Sequence, residues 1–375
     1  MRITAVDTHW LSLKEVKLRA DSTQQSLIVR IRTDEGIEGI GESHTAPYVI
    51  KAIIDTDSTG VVSRGIRSLL IGENPLDIER LWNKMYHFTT RYGRRGILIH
   101  TISAVDIALW DLLGKATGLS VSTLLGGRER EELTAYASVL MPDTPEAAAE
   151  LALKLKEDGY IAAKFGWETL GYDIPSDIKR VEAIRRAVGD SFDVLIDIGY
   201  SMTVRNAIKL ARALEDYQIG FFEEPLSPDD LVGFAKLSEA TIIPIATGER
   251  ETSRYGFLDL MQRGKVSIIQ PDIGRTGGFT EVKRIAVLAD MNAVDLIPHV
   301  WSNDILVASS LHLLAARPNA AYLEYSVLDT VNPIRQELLR EPIKAVKGKV
   351  AVPKGPGLGI ELNESIIKRF SITSL

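Results

Sequence analysis

The chain has 375 residues, 45% of them hydrophobic, which is too long for one ordinary domain and enough for two, or for one barrel with an added module. Its formal net charge of −6 is spread along the sequence with no basic block or stripe, which argues against nucleic acid and for a small metabolite as partner. Cysteine is absent, which excludes disulfides, thiolate zinc sites and cysteine nucleophiles.

The opening segment MRITAVDTHWLSL alternates like a strand and holds no uninterrupted apolar run of signal or membrane length, so a soluble, cytoplasmic protein with no membrane partner is expected. SLIVRIRTDEG continues the strand pattern, and DEGIEGIGE supplies a turn. ISAVDIALWDLLGKATG then carries apolar residues at helical spacing, with Gly118 as its stop. These elements predict an α+β module. The glycine- and charge-rich LLGGRERE (Leu124 to Glu131) marks a junction.

Beyond residue 130 short apolar runs alternate with amphipathic helices: AAKFG, DVLIDIG, GFFEEP, IPIATGE, VSIIQPD, VDLIPHV and AAYLEYS. Such alternation implies parallel strands joined by crossover helices. The strand ends fall at Lys164, Asp197, Glu223, Glu249, Asp272, His299 and Glu324, separated by 33, 26, 26, 23, 27 and 25 residues, about one βα unit each. So many consecutive units predict a closed barrel rather than an open sheet. The domain division expected is 1–125, 126–345 and a C-terminal segment 346–375 that returns to the N-terminal module.

Every one of these runs ends in an ionisable residue, and in a parallel barrel such ends converge on the face that carries the active site. Asp197, Glu223 and Glu249 end three successive strands and offer only carboxylate oxygens, the donor chemistry of Mg²⁺. A single strand-end carboxylate is more often a helix cap or a salt bridge; three at near-equal spacing are harder to assign that way. Glu224 neighbours Glu223 and must face the other side of the strand, which makes it the weaker ligand. Asp272 and His299 end the next two strands and read as a general base with a carboxylate that orients it. Glu324 is read as an acid or hydrogen-bond donor if burial keeps it protonated, or as a structural carboxylate. A hard cation beside a base points to proton abstraction next to a carboxylate, a step that Mg²⁺ assists by stabilising the enediolate.

The stretches SAVDIALWDLLGKATGLSVSTLLGG, VLIDIGYS, FFEEPLSPDD, ATGER, QPDIGRTGG, PHVW and PKGPGLGIEL together resemble the mandelate racemase subgroup of the enolase superfamily, over nearly the whole chain. The resemblance implies a (β/α)7β TIM-like barrel under an N-terminal capping domain completed by the C-terminal tail. It matches Asp197, Glu223 and Glu249 to the Mg²⁺ ligands, His299 and Asp272 to the catalytic dyad, and Glu324 to the acid that contacts the enediolate. NPIRQELLREP and GPGLGIEL look like galactarolactone cycloisomerase and related sugar-acid enzymes. The departure lies in IAAKFGWE: relatives that work on both faces of a substrate end the second barrel strand in Lys-x-Lys, and here Lys164 is followed by Gly166 on the same strand face. Lys164 matches the first lysine and is expected to act in catalysis as an electrostatic partner of the substrate carboxylate, whereas glycine cannot move a proton. Racemisation is therefore disfavoured, and syn dehydration of a sugar acid through His299 alone is the first reading, with lactone cycloisomerisation as the alternative. A sixth-strand lysine, as in epimerases of the muconate lactonising subgroup, is replaced by Asp272, and Lys265 lies at the wrong end of that strand.

Substrate contacts are sought in loops at the barrel mouth, KLRADSTQQS (Lys17 to Ser26) and GESHTAPY (Gly41 to Tyr48), which offer Arg19, His44 and Tyr48 to hydroxyls or to a distal carboxylate. RYGRRG (Arg91 to Gly96) would hold an anion or line a subunit contact. Trp167 and Trp301 are read first as packing against barrel helices and second as an apolar wall of the site. A homo-oligomer acting on a sugar acid or its lactone is expected.

Overall fold

The glycines of IEGIGE are where the N-terminal module is built. Strands β1 (Ile3–Ser12), β2 (Gln25–Thr33) and β3 (Glu38–Ser43) form an antiparallel sheet in the order β1-β2-β3. Gly39 and Gly41 share one face of β3, and a Cβ at either would stand 2.0 Å from a backbone carbonyl, that of Ala108 or Ala104. Only glycine lets β3 lie this closely on the helix Ile97–Thr117, and that contact sets where the residues after β3 emerge. The helix is long and apolar enough to cross a membrane, yet nearly all of it is buried, as a core helix of the protein should be. The computed structural model describes residues 1–375 except 18–22, 59, 62–63, 168, 318–320, 328–331 and 373–375.

Eight parallel strands follow: β4 (Glu132–Leu140), β5 (Ala162–Gly166), β6 (Asp193–Asp197), β7 (Ile219–Glu223), β8 (Ile245–Thr247), β9 (Ile268–Ile269), β10 (Asp295–Leu296) and β11 (Leu323–Ser326). Their hydrogen-bonded order is β11-β4-β5-β6-β7-β8-β9-β10, and no β10–β11 ladder occurs among the described residues. Alternation sorts their side chains. Val194 and Ile196 pack outward with the helices, while Leu195 turns inward to join Tyr136, Ala162, Phe221, Ala246, Ile268 and Ile297. β4 is missing from the apolar runs read in sequence, because ELTAYASVL ends in no ionisable residue.

β8, β9 and β10 are shorter than their apolar runs. Glu249, Asp272 and His299 therefore stand two or three residues beyond the last paired residue, although Gln270 N still donates to Thr247 O and Ile297 N to Ile269 O. Asp197 and Glu223, by contrast, are the last residues of β6 and β7.

The C-terminal segment serves both modules. A hairpin of β12 (Ala345–Val346) and β13 (Lys349–Ala351) joins the edge of β4 through Lys349↔Thr134. Leu358 N then donates to Asp111 in the long helix, and the helix Glu364–Phe370 packs on β1, with an ion pair from Arg30 to Glu364. Ile372 N ends the run on Trp10 O.

Candidate active site

Gly166 is paired in register with Asp197, and a Cβ on it would lie 3.0 Å from Asp197 Cβ. The glycine thus brings β5 against the first of the three strand-end carboxylates. Gly166 and Lys164 both line a cavity of ≈ 520 Å³ at the carboxyl ends of the strands, as their shared strand face requires, while Phe165 turns into the outer core.

Lys164 is buried, and its Nζ stands 2.8 Å from Glu223 Oε1, 2.8 Å from Glu324 Oε1 and 3.6 Å from Asp197 Oδ2. Burial by itself would lower its pKa, but Glu223, Glu324 and then Tyr136 and Asp197 outweigh that and raise it well above the ordinary lysine value. It is an ammonium whose hydrogens are committed to carboxylates.

Asp197 also accepts from Trp167 Nε1 at 2.9 Å and from Gly199 N at 3.0 Å, and Glu223 Oε2 from Gln270 Nε2 at 2.7 Å. Burial, together with the carboxylates of Glu249, Glu224 and Glu324, pushes Asp197 up to about 6 against the pull of Lys164. Burial likewise raises Glu223 well above the usual carboxylate range. Glu249 is lowered, because His299, Arg275 and Arg250 overcome the effect of its burial. Glu224 does point away, as its alternation predicts: Thr247 Oγ1 donates to it at 2.6 Å, Gly248 N at 3.2 Å, and Arg250 pairs with it.

His299 lies between two carboxylates, Nδ1 at 2.8 Å from Asp272 Oδ2 and Nε2 at 3.1 Å from Glu249 Oε2. Burial would lower its pKa; Glu249, Glu324 and the hydrogen bond to Asp272 reverse the sign and raise it. Asp272 is held well below the carboxylate range despite its burial, by Arg275 and His299, while Gly274 N donates to its other oxygen at 2.8 Å. The protonated reading of Glu324 is corrected here. It accepts from Ser138 Oγ at 2.8 Å and Val300 N at 2.7 Å as well as facing Lys164, and Lys164 and His299 outweigh burial and keep it ionised.

Of the expected substrate contacts, Trp301 and Trp167 both line the cavity, Trp167 being 40% exposed. This corrects the first reading of both as packing on helices. His44 sits behind the wall, its Nε2 2.8 Å from Arg275 NH2. Tyr48 is outside the cavity lining, half exposed with its ring 5.9 Å from Trp10. Arg19 lies outside the described residues. Arg94 and Arg95 of RYGRRG are exposed, and from that run only Gly96 reaches the cavity.

Sequence reading missed Arg250, Arg275, Ser138, Thr45 and His100, all in the lining. The two arginines follow strand-end acids by one and three residues, and three clustered acids needing countercharge was a signal for them. His100 had only the weak mark of a lone histidine in the apolar helix start GILIHTIS.

Asp197, Glu223 and Glu249 are buried, oxygen-only donors at or just past the ends of adjacent strands, which is the donor chemistry of a hard divalent cation. In the arrangement seen, Lys164, Arg250 and His299 take their charge instead, and among the described residues no three His, Asp or Glu side chains are placed to hold an ion. The residues thus fit such an ion by type, and the ammonium of Lys164 supplies part of the positive charge the cluster needs.

A cap over a parallel α/β array whose strand ends carry carboxylates and a His–Asp pair defines an enzyme of the enolase superfamily. Residues 3–126 match the family model "Mandelate racemase / muconate lactonizing enzyme, N-terminal domain", and 146–366 match "Enolase C-terminal domain-like". The chain belongs to the mandelate racemase / muconate lactonizing enzyme family, whose superfamily typically binds Mg²⁺. It is 34% identical to D-galactarolactone cycloisomerase of Agrobacterium fabrum, with 99% of each chain covered. It is 32% identical to arabinonate dehydratase of Saccharolobus solfataricus, over 96% of this chain and 94% of that one. The crystal structure of the 3,6-anhydro-D-galactonate cycloisomerase from Zobellia galactanivorans superposes with a TM-score of 0.89 at 36% identity, covering 100% of both chains.

Proposed function

We propose that this chain is a Mg²⁺-dependent lyase that removes the proton α to the carboxylate of a sugar acid and expels the β-oxygen, as water in the first reading. The carrying observation is the asymmetry of the two faces: His299 is oriented by Asp272 on one side, whereas the lysine opposite is committed to carboxylates and the next position is Gly166. With Nδ1–H held by Asp272, Nε2 takes the α-proton once Glu249 Oε2 no longer competes for it. The C–H electron pair becomes a C=C bond, the β C–O bond breaks, and the imidazolium returns its proton to the departing oxygen. One base thus serves both proton transfers, and the enol product tautomerises to a 2-keto-3-deoxy acid. Asp197, Glu223 and Glu249 would hold Mg²⁺, which supplies positive charge to the substrate carboxylate and so acidifies the α-carbon. Lys164 adds a second, fixed positive charge on the same side.

The full-length match to two cycloisomerases favours a second reading, in which the expelled oxygen belongs to a lactone or anhydro ring and stays in the product. We further infer a closed (β/α)7β barrel, supported by the inward cluster that draws one residue from, or next to, every one of the eight strands. We also infer the division 1–125, 126–345 and 346–375: the N-terminal family match ends at 126, and the tail runs from the β13–β4 pairing back to β1 through the helix Glu364–Phe370. The test is a mass-spectrometric screen of aldonic and aldaric acids and their lactones with Mg²⁺, with α-deuterium exchange as the second readout. Loss of water, or isomerisation, that disappears in His299→Asn is expected. Turnover or exchange that survives the substitution would overturn it.

A further inference from the structure

Three cations line the cavity among the described residues, and each is already paired. Lys164 faces Glu223 and Glu324, Arg250 pairs with Glu224 and Glu249, and Arg275 contacts Glu249, Asp272 and His44. The wall toward the cap is different. His100, on the helix Ile97–Thr117, is 8% exposed and lines the cavity, yet among the described residues neither of its ring nitrogens has a hydrogen-bond partner; Nδ1 is sealed inside the wall, which leaves Nε2 to a ligand. Thr45, just past β3, lines the same cavity, but its hydroxyl is sealed in the wall like His100 Nδ1. Buried polar atoms without partners are costly unless something arrives to satisfy them.

His44, which sits behind this wall, is neutral by geometry. Arginine only donates, so His44 Nε2, 2.8 Å from Arg275 NH2, must carry a lone pair, and His44 must be neutral. Burial and then Arg275 also hold His100 down to about 4, so its ring is uncharged near neutral pH. An uncharged imidazole with Nε2 open to the cavity satisfies an alcohol group. It offers no countercharge to a carboxylate, the neighbouring Arg275 is already held by Glu249 and Asp272, and the acids Glu249 and Glu324 on the far side repel one.

Resting on the lyase reading above, we infer that the cap wall recognises the neutral hydroxylated end of the substrate through His100 Nε2, so that the enzyme takes monocarboxylates, aldonic acids or their lactone and anhydro forms, and rejects dicarboxylates. His100 is thus a specificity residue.

The test pairs wild-type protein with Mg²⁺ against matched aldonic and aldaric acids of equal chain length, reading kcat/KM and α-deuterium exchange. A preference of about hundredfold for the monocarboxylate is expected, as for a site that would leave a charge unpaired. In His100→Phe, KM for the monocarboxylate should rise about tenfold with kcat within about threefold, the loss of one hydrogen bond made equally in ground and transition states. His100→Gln should recover part of it. Equal efficiency on the diacid, including a diacid held through Arg19, would overturn the inference and leave the lyase reading intact. An unchanged KM in His100→Phe would remove His100 from recognition. Absence of His299-dependent exchange with every acid would overturn both readings together. Should His100→Phe fail to fold, the wild-type comparison decides.

Discussion

On the barrel side of the cavity Lys164 meets two carboxylates at 2.8 Å, Arg250 two more, and His299 is gripped from both ring nitrogens. On the cap side the hydroxyl of Thr45 and the ring of His100 have no partner at all among the described residues. Such a division suits a lyase. Chemistry needs charges fixed before the substrate arrives, so that no reorganisation is required as charge develops, and recognition needs hydrogen-bond capacity still unspent. Positive φ occurs on both sides, at Trp167, Tyr200 and Glu224 past strand ends on the charged side and at Ala46 beside Thr45 on the cap side.

The contrast breaks most sharply at His299. Replacing it by Asn keeps the hydrogen bond to Asp272 but leaves no base, and kcat should fall on the order of a thousandfold, the usual worth of a positioned general base. Deuterium exchange at the α-carbon should vanish with it, and residual exchange would identify a second base. Lys164→Met comes next. It leaves Glu223 and Glu324 facing each other without their cation, which should cost about 3–5 kcal/mol in denaturant unfolding as well as most of the turnover. Added Mg²⁺ should return part of that stability to the variant, and a melt unaffected by the substitution would place the charge balance elsewhere.

How much of this was legible follows from the same contrast. The charged half announced itself, since Asp197, Glu223, Glu249, Asp272, His299 and Glu324 recur at nearly one βα unit, and strand ends in such an array must converge. Their protonation did not: Glu324 reads as a protonated acid or a structural carboxylate until Lys164, 160 positions earlier in the chain, is found against it. The neutral half was nearly silent. His100 sits in a helix whose pattern says core, and Thr45 is brought beside the same cavity by β3, which Gly39 and Gly41 let settle on that helix. Tyr48 looked the better contact from its loop position, yet packs on Trp10.

One acid does lie at the neutral seam. Glu42, at the end of β3, is fully buried, and accepts from Ser26 Oγ at 2.6 Å and from Asn303 Nδ2 at 2.7 Å, in the loop that follows His299. Its other oxygen has no partner, and burial pushes its carboxyl up to about 7, against the hydrogen bonds and the charge of Arg335. A raised acid is favoured in its protonated form by folding. Its contribution is therefore complete below the unfolded value of 4.5 and is lost as pH rises through about 7, a decline of about 3 kcal/mol at most. Unfolding free energy followed from pH 4.5 to 8 should show that decline in the wild type and a flatter profile in Glu42→Gln. Identical profiles would mean that the seam does not titrate.

The smallest effect tests whether the missing second lysine can simply be restored. In Gly166→Lys the new Cβ would approach Asp197 Cβ to 3.0 Å and its Oδ2 to 3.2 Å, tighter than ordinary contact, so strand or carboxylate must give by a few tenths of an ångström. Overpacking of this kind costs about 1–3 kcal/mol. The added ammonium would also enter a cluster where Lys164 already carries the countercharge and Arg250 stacks 5.2 Å from the Trp167 ring. Turnover should drop about tenfold or more, through displacement of Asp197, and chiral analysis of recovered substrate should show no inversion. A variant that gained racemisation would show that the second face was closed by the glycine alone; one that loses lyase activity without gaining it shows that the strand has been rebuilt around Asp197, and that Gly166 belongs to the charged half by packing as well as by what it lacks.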